Sequence, residues 1–227
     1  MGKKLIRLYL NEELVEDKEY ALNKDQSHYL NNVMRKKVGD KIILFNKTEW
    51  ESVIIIQGKI NIVRLEKKLR DQTISPKINL IFAPIKLHRM NFLIEKATEL
   101  NVTEFTPVIT DHSVVDKINI ERLRRIAIEA SEQCERNTIP VFNDIITLTK
   151  LLGDFQGELI FCNETEKSNQ IINTGSADKN LLIGPEGGFS TKEIALLNEL
   201  PFVRSVKISE NILRAETAAI AAVLLSI

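Results

Sequence analysis

The five residues Gly184-Pro185-Glu186-Gly187-Gly188 constrain this chain more than any other segment. They follow an apolar run, Leu181-Leu182-Ile183, that reads as a buried strand. They precede Ser190-Thr191-Lys192-Glu193, the pattern of a capping box at a helix start. Glycine permits positive φ and lets the backbone approach a ligand closely. A helix start adds unpaired N–H groups and a positive dipole end. In an α/β protein such a turn can hold a small polar cofactor. Two phosphate cradles are excluded by pattern. A P-loop needs Lys and Ser/Thr directly after its second glycine, where Phe189 follows Gly188 here, and the G-x-G-x-x-G fingerprint is not supplied. A tight turn of purely structural role remains the other reading of these residues.

A chain of 227 residues accommodates one large domain or two small ones, and 44% hydrophobic with 27% charged residues marks a folded globular protein. No apolar stretch reaches membrane-spanning length. The start, Met1-Gly2-Lys3-Lys4, lacks the long apolar core of a signal peptide. Cys134 and Cys162 have no metal-type spacing and read as reduced thiols of a cytoplasmic protein. His28, His88 and His112 are scattered, so no metal site is implied. The balanced net charge hides an asymmetry. Residues 1–72 carry 15 Lys/Arg against 11 Asp/Glu, and the remainder 16 against 20. The basic part includes Arg35-Lys36-Lys37, compatible with nucleic-acid contact or with an ordinary solvated face.

The first 72 residues read as mostly β, with strands expected at 6–10, 41–45 and 52–56, one helix at 25–34, and a small barrel-like arrangement. The charged stretch 66–71 reads as a connection to Ser75-Pro76, giving domains 1–72 and 73–227. Beyond it the rhythm becomes strand–helix alternation. Strands are expected at 78–83, 105–109, 159–162, 181–183 and 203–208, with helices at 90–100, 119–134, 144–152, 191–200 and 215–226. The 119–134 helix points Ile120, Leu123, Ala127, Ala130 and Cys134 inward. This alternation predicts an α/β fold with a mainly parallel sheet covered on both faces.

Two further clusters carry polar chemistry. Arg214, Glu216 and Thr217 lead into a helix of small residues, Ala218-Ala219-Ile220-Ala221-Ala222, which by itself fits a capped, salt-bridged terminal helix. Glu129 with Gln133, and Glu132 with Arg136, share helix sides at i,i+4 and read as surface pairs.

Taken together, Arg89-Met90 running into Glu95-Lys96-Ala97-Thr98-Glu99-Leu100, then Ile128-Glu129-Ala130-Ser131-Glu132-Gln133 with Arg136, and the pair 182–188 and 212–218, resemble one family. The chain is similar over nearly its whole length, including His28, Arg35 and Gly39-Asp40, to the bacterial 16S ribosomal RNA uridine-N3 methyltransferases (RsmE family) of the SPOUT superfamily. Two departures stand out: Asn101 occupies a position where many relatives have Gly, and the last helix is expected to end early, at Ile227.

The resemblance implies a C-terminal SPOUT-type domain with a deep trefoil knot that binds S-adenosyl-L-methionine, and an N-terminal PUA-like β-barrel that helps hold RNA. It implies a cytoplasmic homodimer without metal or membrane association, acting on N3 of a uridine in the decoding region of 16S rRNA within the small ribosomal subunit. Carried over by position, the cofactor residues are Leu182, Gly184, Pro185, Glu186, Gly187, Gly188, Ile208, Asn211, Ile212, Leu213, Thr217 and Ala218. In that assignment Ile208 and Leu213 sandwich the purine. Catalytic candidates are Arg214, Glu216 and Glu186, with Arg214 stabilising charge or holding a phosphate. Glu216 is a candidate base or the partner that orients Arg214, and Glu186 is an alternative base. RNA contacts are expected from Arg35, Lys36, Lys37, Arg89 and Arg136. Three other readings are a SPOUT methyltransferase for another RNA site, a non-catalytic RNA-binding ribosome assembly factor, and a nucleotide-binding regulator, against which the missing Lys after Gly188 argues.

Overall fold

In the computed structural model the described residues are 5–166 and 178–227. The reading of the start as no signal peptide rests on residues 1–4, outside that range. Contacts divide the chain into two units, Met1–Ile74 with Ser131–Ile139, and Ser75–Ala130 with Pro140–Ile227.

The first unit is built on strands β1 (Arg7–Tyr9), β2 (Glu19–Ala21), β3 (Lys41–Asn46), β4 (Thr48–Ile56) and β5 (Ile62–Arg70), ordered β1-β3-β4-β5-β2 in one sheet. Alternating burial along β4 directs Trp50, Ile54 and their neighbours Leu44 and Val63 into one apolar cluster with Tyr20, Leu22 and Leu30. Helix α1 (Lys24–His28) starts at a reciprocal capping box of Asn23 and Gln26. The single helix expected at 25–34 is instead α1 followed by a π-helical turn, Tyr29–Val33. The charged stretch 66–71 is not a connection: through Arg70 it belongs to β5, held in register against β4 by Trp50↔Lys68 and Glu49↔Arg70. Its side chains beyond Leu65 are exposed, so backbone pairing rather than apolar burial keeps it a strand. Sequence patterning also passed over β2.

Residues 131–139 join this unit through a buried ion cluster. Glu49, 4% exposed, pairs with Arg7 through one carboxylate oxygen and with Arg70 through the other. Arg7 NH2 also donates to the Arg136 carbonyl at 3.0 Å, and Arg70 NH2 to the Glu135 carbonyl. Burial pulls the Arg7 guanidinium below its ordinary value, opposed by the Glu49 charge. Glu132 Oε1 accepts from the Tyr9 amide at 2.9 Å, so it serves the first unit's backbone.

The second unit is a parallel sheet. Its strands are β6 (Ile78–Phe82), β7 (Glu104–Ile109), β8 (Val141–Phe142), β9 (Ile146–Thr147), β10 (Leu159–Cys162), β11 (Lys179–Ile183) and β12 (Val203–Val206). The order is β12-β10-β11-β6-β7-β8, with β9 also pairing β7, and every pairing is parallel. Period-two alternation splits the strands between two cores. Leu80, Phe82, Ile160, Leu181 and Ile183 face helices α2 (Leu87–Glu99), α3 (Ile120–Gln133) and α6 (Ala215–Ser226). Ile81, Phe161 and Leu182 face α4 (Leu148–Gly153) and α5 (Thr191–Glu199). The expected helix at 144–152 therefore begins later, after the short β8 and β9 that patterning missed. Cys134 is exposed rather than inward, because α3 ends at Gln133. Asn101 sits just past the end of α2 with φ +70°, a left-handed position that glycine favours and asparagine tolerates. Among the described residues no helix is long and apolar enough to cross a membrane.

Candidate functional site

Strand β11 lies between β10 and β6, so the carboxyl ends of β10, β11 and β12 converge on the side of the sheet where open α/β folds bind ligands. Three loops leaving those ends wall a cleft of about 410 Å3. The first follows β11 and contains residues 184–188. Gly184 is required by close approach: a Cβ there would stand 2.7 Å from the Phe189 ring, which packs edge-on against Phe161. Gly188 is required by conformation, with φ +67° and its N–H donating to the Pro185 carbonyl at 3.0 Å. The capping box expected after it is present, Ser190 and Glu193 exchanging side chain-to-backbone hydrogen bonds at the start of α5.

The loop after β7 fixes this turn from outside. The Asp111 amide donates to Glu193 at 2.9 Å, and Ser190 Oγ donates to Asp111 at 2.6 Å. His112 Nδ1 lies 3.1 Å from the Gly187 carbonyl and 3.2 Å from that of Gly188. Both partners only accept, so Nδ1 carries the proton.

The second wall is the loop after β10. Asn163 accepts from the amide and hydroxyl of Thr165 and donates to Ser205, which turns Glu164 toward Gly188. Sequence reasoning missed Asn163, Glu164 and Thr165. Their signal is an Asx turn directly after a buried strand, visible only once that strand is known to end at the cleft. Cys162 also lines the cleft, and burial pushes its thiol up to about 12. A thiol held protonated is a poor nucleophile. Alkylation of the folded protein at pH 8 is therefore expected to label the exposed Cys134 and spare Cys162; mass spectrometry of the labelled chain checks this, and equal labelling would contradict it.

The third wall follows β12. It brings Ile208, Asn211, Ile212, Leu213 and Arg214 to the cleft, with Ala218 at its base. Arg214 is the N-cap of α6, and its carbonyl accepts from Ala218 at 2.8 Å.

Of the residues singled out from sequence, Gly184, Pro185, Glu186, Gly187, Gly188, Ile208, Asn211, Ile212, Leu213, Arg214 and Ala218 all line this cleft, joined by Arg89. Leu182 lies behind it, fully buried in the core facing α4 and α5, and Thr217 is exposed on α6. Glu216, expected as a base or as the partner that orients Arg214, is buried and pairs with Arg89 at 3.7 Å. Arg35, Lys36 and Lys37 stand together in the first unit after the π-helical turn, with Arg35 and Lys37 exposed. Arg136 is also in the first unit, where burial pulls its guanidinium down to about 10. Among the described residues no group of three or more His, Cys, Asp or Glu could hold a metal ion.

An RNA methyltransferase domain family matches residues 73–226, and an RNA methyltransferase PUA domain family matches residues 22–65. Ribosomal RNA small subunit methyltransferase E of Rickettsia conorii is 38% identical over 226 residues, covering 96% of this chain and 93% of that protein. The crystal structure of ribosomal RNA small subunit methyltransferase E from Neisseria gonorrhoeae bound to S-adenosyl methionine superposes with a TM-score of 0.88 at 27% identity, covering 97% and 96% of the two chains. A methyltransferase from Legionella pneumophila in complex with SAM gives 0.86 at 31% identity, covering 98% and 97%. With one family model spanning both cores of the second unit and a relative alike along almost the entire chain, this protein belongs to the ribosomal RNA small subunit methyltransferase E family.

Proposed function

We propose that this chain is an S-adenosyl-L-methionine-dependent rRNA methyltransferase that methylates N3 of a uridine in the decoding region of 16S rRNA. The observation that carries the reading is the convergence of the 184–188 and 208–213 loops on one cleft at the carboxyl ends of β10, β11 and β12. The cleft fits the cofactor by size and by chemistry. About 410 Å3 is within the range of small-molecule sites. Gly184, Gly187 and Gly188 present backbone without side chains along one wall, and Ile208 with Leu213 offers apolar faces to the purine.

Bound S-adenosylmethionine supplies a methyl group on a cationic sulfur. The protein's part is to orient the base in line with that methyl, take up the N3 proton and stabilise charge left on the ring oxygens. Arg214, exposed at the start of α6 and lining the cleft, is suited to the last task. Arg35, Lys36 and Lys37 supply phosphate contacts from the first unit, and Arg136 is the other candidate for RNA contact.

The finer architecture belongs to the same reading: domains 1–72 and 73–227, a PUA-like barrel in the first and a trefoil knot in the second. The return of the chain to insert β11 between β10 and β6 supports the knot. Exposed Leu87 and Phe92 on α2, with Leu224 and Leu225 on α6, support a homodimer. A cytoplasmic location follows from the ribosomal substrate.

Incubation with labelled S-adenosylmethionine and small subunits lacking the modification, followed by mapping of the labelled nucleotide, tests the reading. Label at a uridine N3 in the decoding region is expected, and label elsewhere or none would refute it. Arg214→Ala is expected to lower kcat roughly 100-fold, the loss typical of one charge-stabilising donor. Its calorimetric affinity for the cofactor should stay unchanged, and equal loss of both would give Arg214 a structural role.

A further inference from the structure

The two acidic candidates occupy different environments, and one arginine joins them. Glu216 is 8% exposed, does not line the cleft, and keeps Oε2 buried without a hydrogen-bond partner. It lies in the first turn of α6, where the helix N-terminus favours negative charge. Glu186 lines the cleft with its side chain 26% exposed. Arg89, near the start of α2, also lines the cleft; its NH1 is 3.5 Å from Glu186 Oε1 and its Nε 3.7 Å from Glu216 Oε1. Both contacts are ion pairs rather than hydrogen bonds, and a guanidinium is rigid and planar, so the charge held at one edge sets which way the other edge faces. The Glu216 carboxylate is the buried end, on a helix whose apolar face shares a core with α2. The cleft carboxylate is the end on a glycine-rich loop.

Resting on the methyl-transfer reading above, we propose that Arg89 is a positioning residue that, anchored by Glu216, aims the Glu186 carboxylate at the proton leaving the methylated nitrogen. Glu186 takes the N3 proton as the pair from that N–H bond forms the bond to the methyl carbon. The carbon–sulfur pair passes to sulfur, which leaves as a neutral thioether, and the proton on Glu186 later leaves to water. Glu216 then has no part in the proton transfer, because its free oxygen is enclosed away from the cleft.

The test is a double-mutant cycle of Arg89→Lys and Glu186→Gln. Lysine keeps the charge beside Glu216, so the fold is spared, but one ammonium cannot span both carboxylates. Arg89→Lys is expected to lower kcat about tenfold with KM for small subunits unchanged, a loss confined to the transition state. Glu186→Gln is expected to lower kcat about 100-fold, the scale of a lost general base. Adding Arg89→Lys to Glu186→Gln should cost less than about threefold more, because the arginine acts through the absent carboxylate. Calorimetric affinity for S-adenosylmethionine and the melting temperature of Arg89→Lys should match the parent protein. Additive losses, a risen KM, or a fallen cofactor affinity or melting temperature would overturn the proposal while the methyltransferase reading stands. A parent protein that transfers no methyl group to small subunits would overturn both.

Discussion

Replacing Glu49 by alanine is expected to destabilise the first unit by about 3–5 kcal/mol, because it strands a buried guanidinium without its counter-charge. Arg7 is 5% exposed and loses its carboxylate, while Arg70 on β5 loses its side-chain partner on β4. For a unit of about 80 residues each kcal/mol moves a midpoint by roughly 4–8 °C, so this unit's transition should fall by roughly 12–40 °C. Trp50 is the sole tryptophan, is 5% exposed, and sits next to Glu49, so its fluorescence reports this unit alone. A midpoint within about 2 °C of the parent would show that the cluster contributes little. Combining Glu49→Leu with Arg7→Met should recover much of the loss, since an apolar pair needs no counter-charge.

The second large effect is expected from Gly184→Ala. The added methyl would stand 2.7 and 2.9 Å from two carbons of the Phe189 ring, and that ring is wedged against the fully buried Phe161, 5.0 Å between centroids. Overpacking of this kind costs about 1–3 kcal/mol. If the loop shifts to relieve it, the cofactor wall moves, and affinity for S-adenosylmethionine should weaken roughly tenfold to 100-fold. Calorimetry measures this directly. Phe189→Leu made in the same chain removes the ring and should restore stability, which distinguishes a local clash from a general defect of the turn. Unchanged affinity in Gly184→Ala would separate this loop from the cofactor.

These residues also show how far the sequence was legible. The 181–193 segment could be read as strand, turn and capped helix because each part is a local signal: apolar run, glycine cluster, Ser and Glu three apart. The alternation of the second unit was equally plain, since strands buried on both faces are continuous apolar runs. What escaped depends on partners distant in sequence. Strand β5 past Leu65 has a loop's composition and is a strand only because β4 lies beside it. Glu132 and Arg136 were read from helical spacing alone, which could not show that Glu132 also accepts from the Tyr9 amide and the Arg136 carbonyl from Arg7. The resemblance suggested Arg89 as an RNA contact, and its two carboxylate partners, 97 and 127 positions onward, are not visible in the sequence.

The nine residues from Ser131 to Ile139 have a bearing on how such proteins are cut and recombined. A gene fragment encoding only the first 74 residues would leave behind the carbonyls of Glu135 and Arg136, to which Arg70 and Arg7 donate. The amide of Tyr9 would likewise lose its acceptor, Glu132. The heritable module is thus discontinuous. A crossover between two family genes at this junction would pair each N-terminal segment with a foreign acceptor strip. Exchange should succeed where the strip travels with the segment it serves, and a chimera built at one breakpoint should fold worse than one built at three.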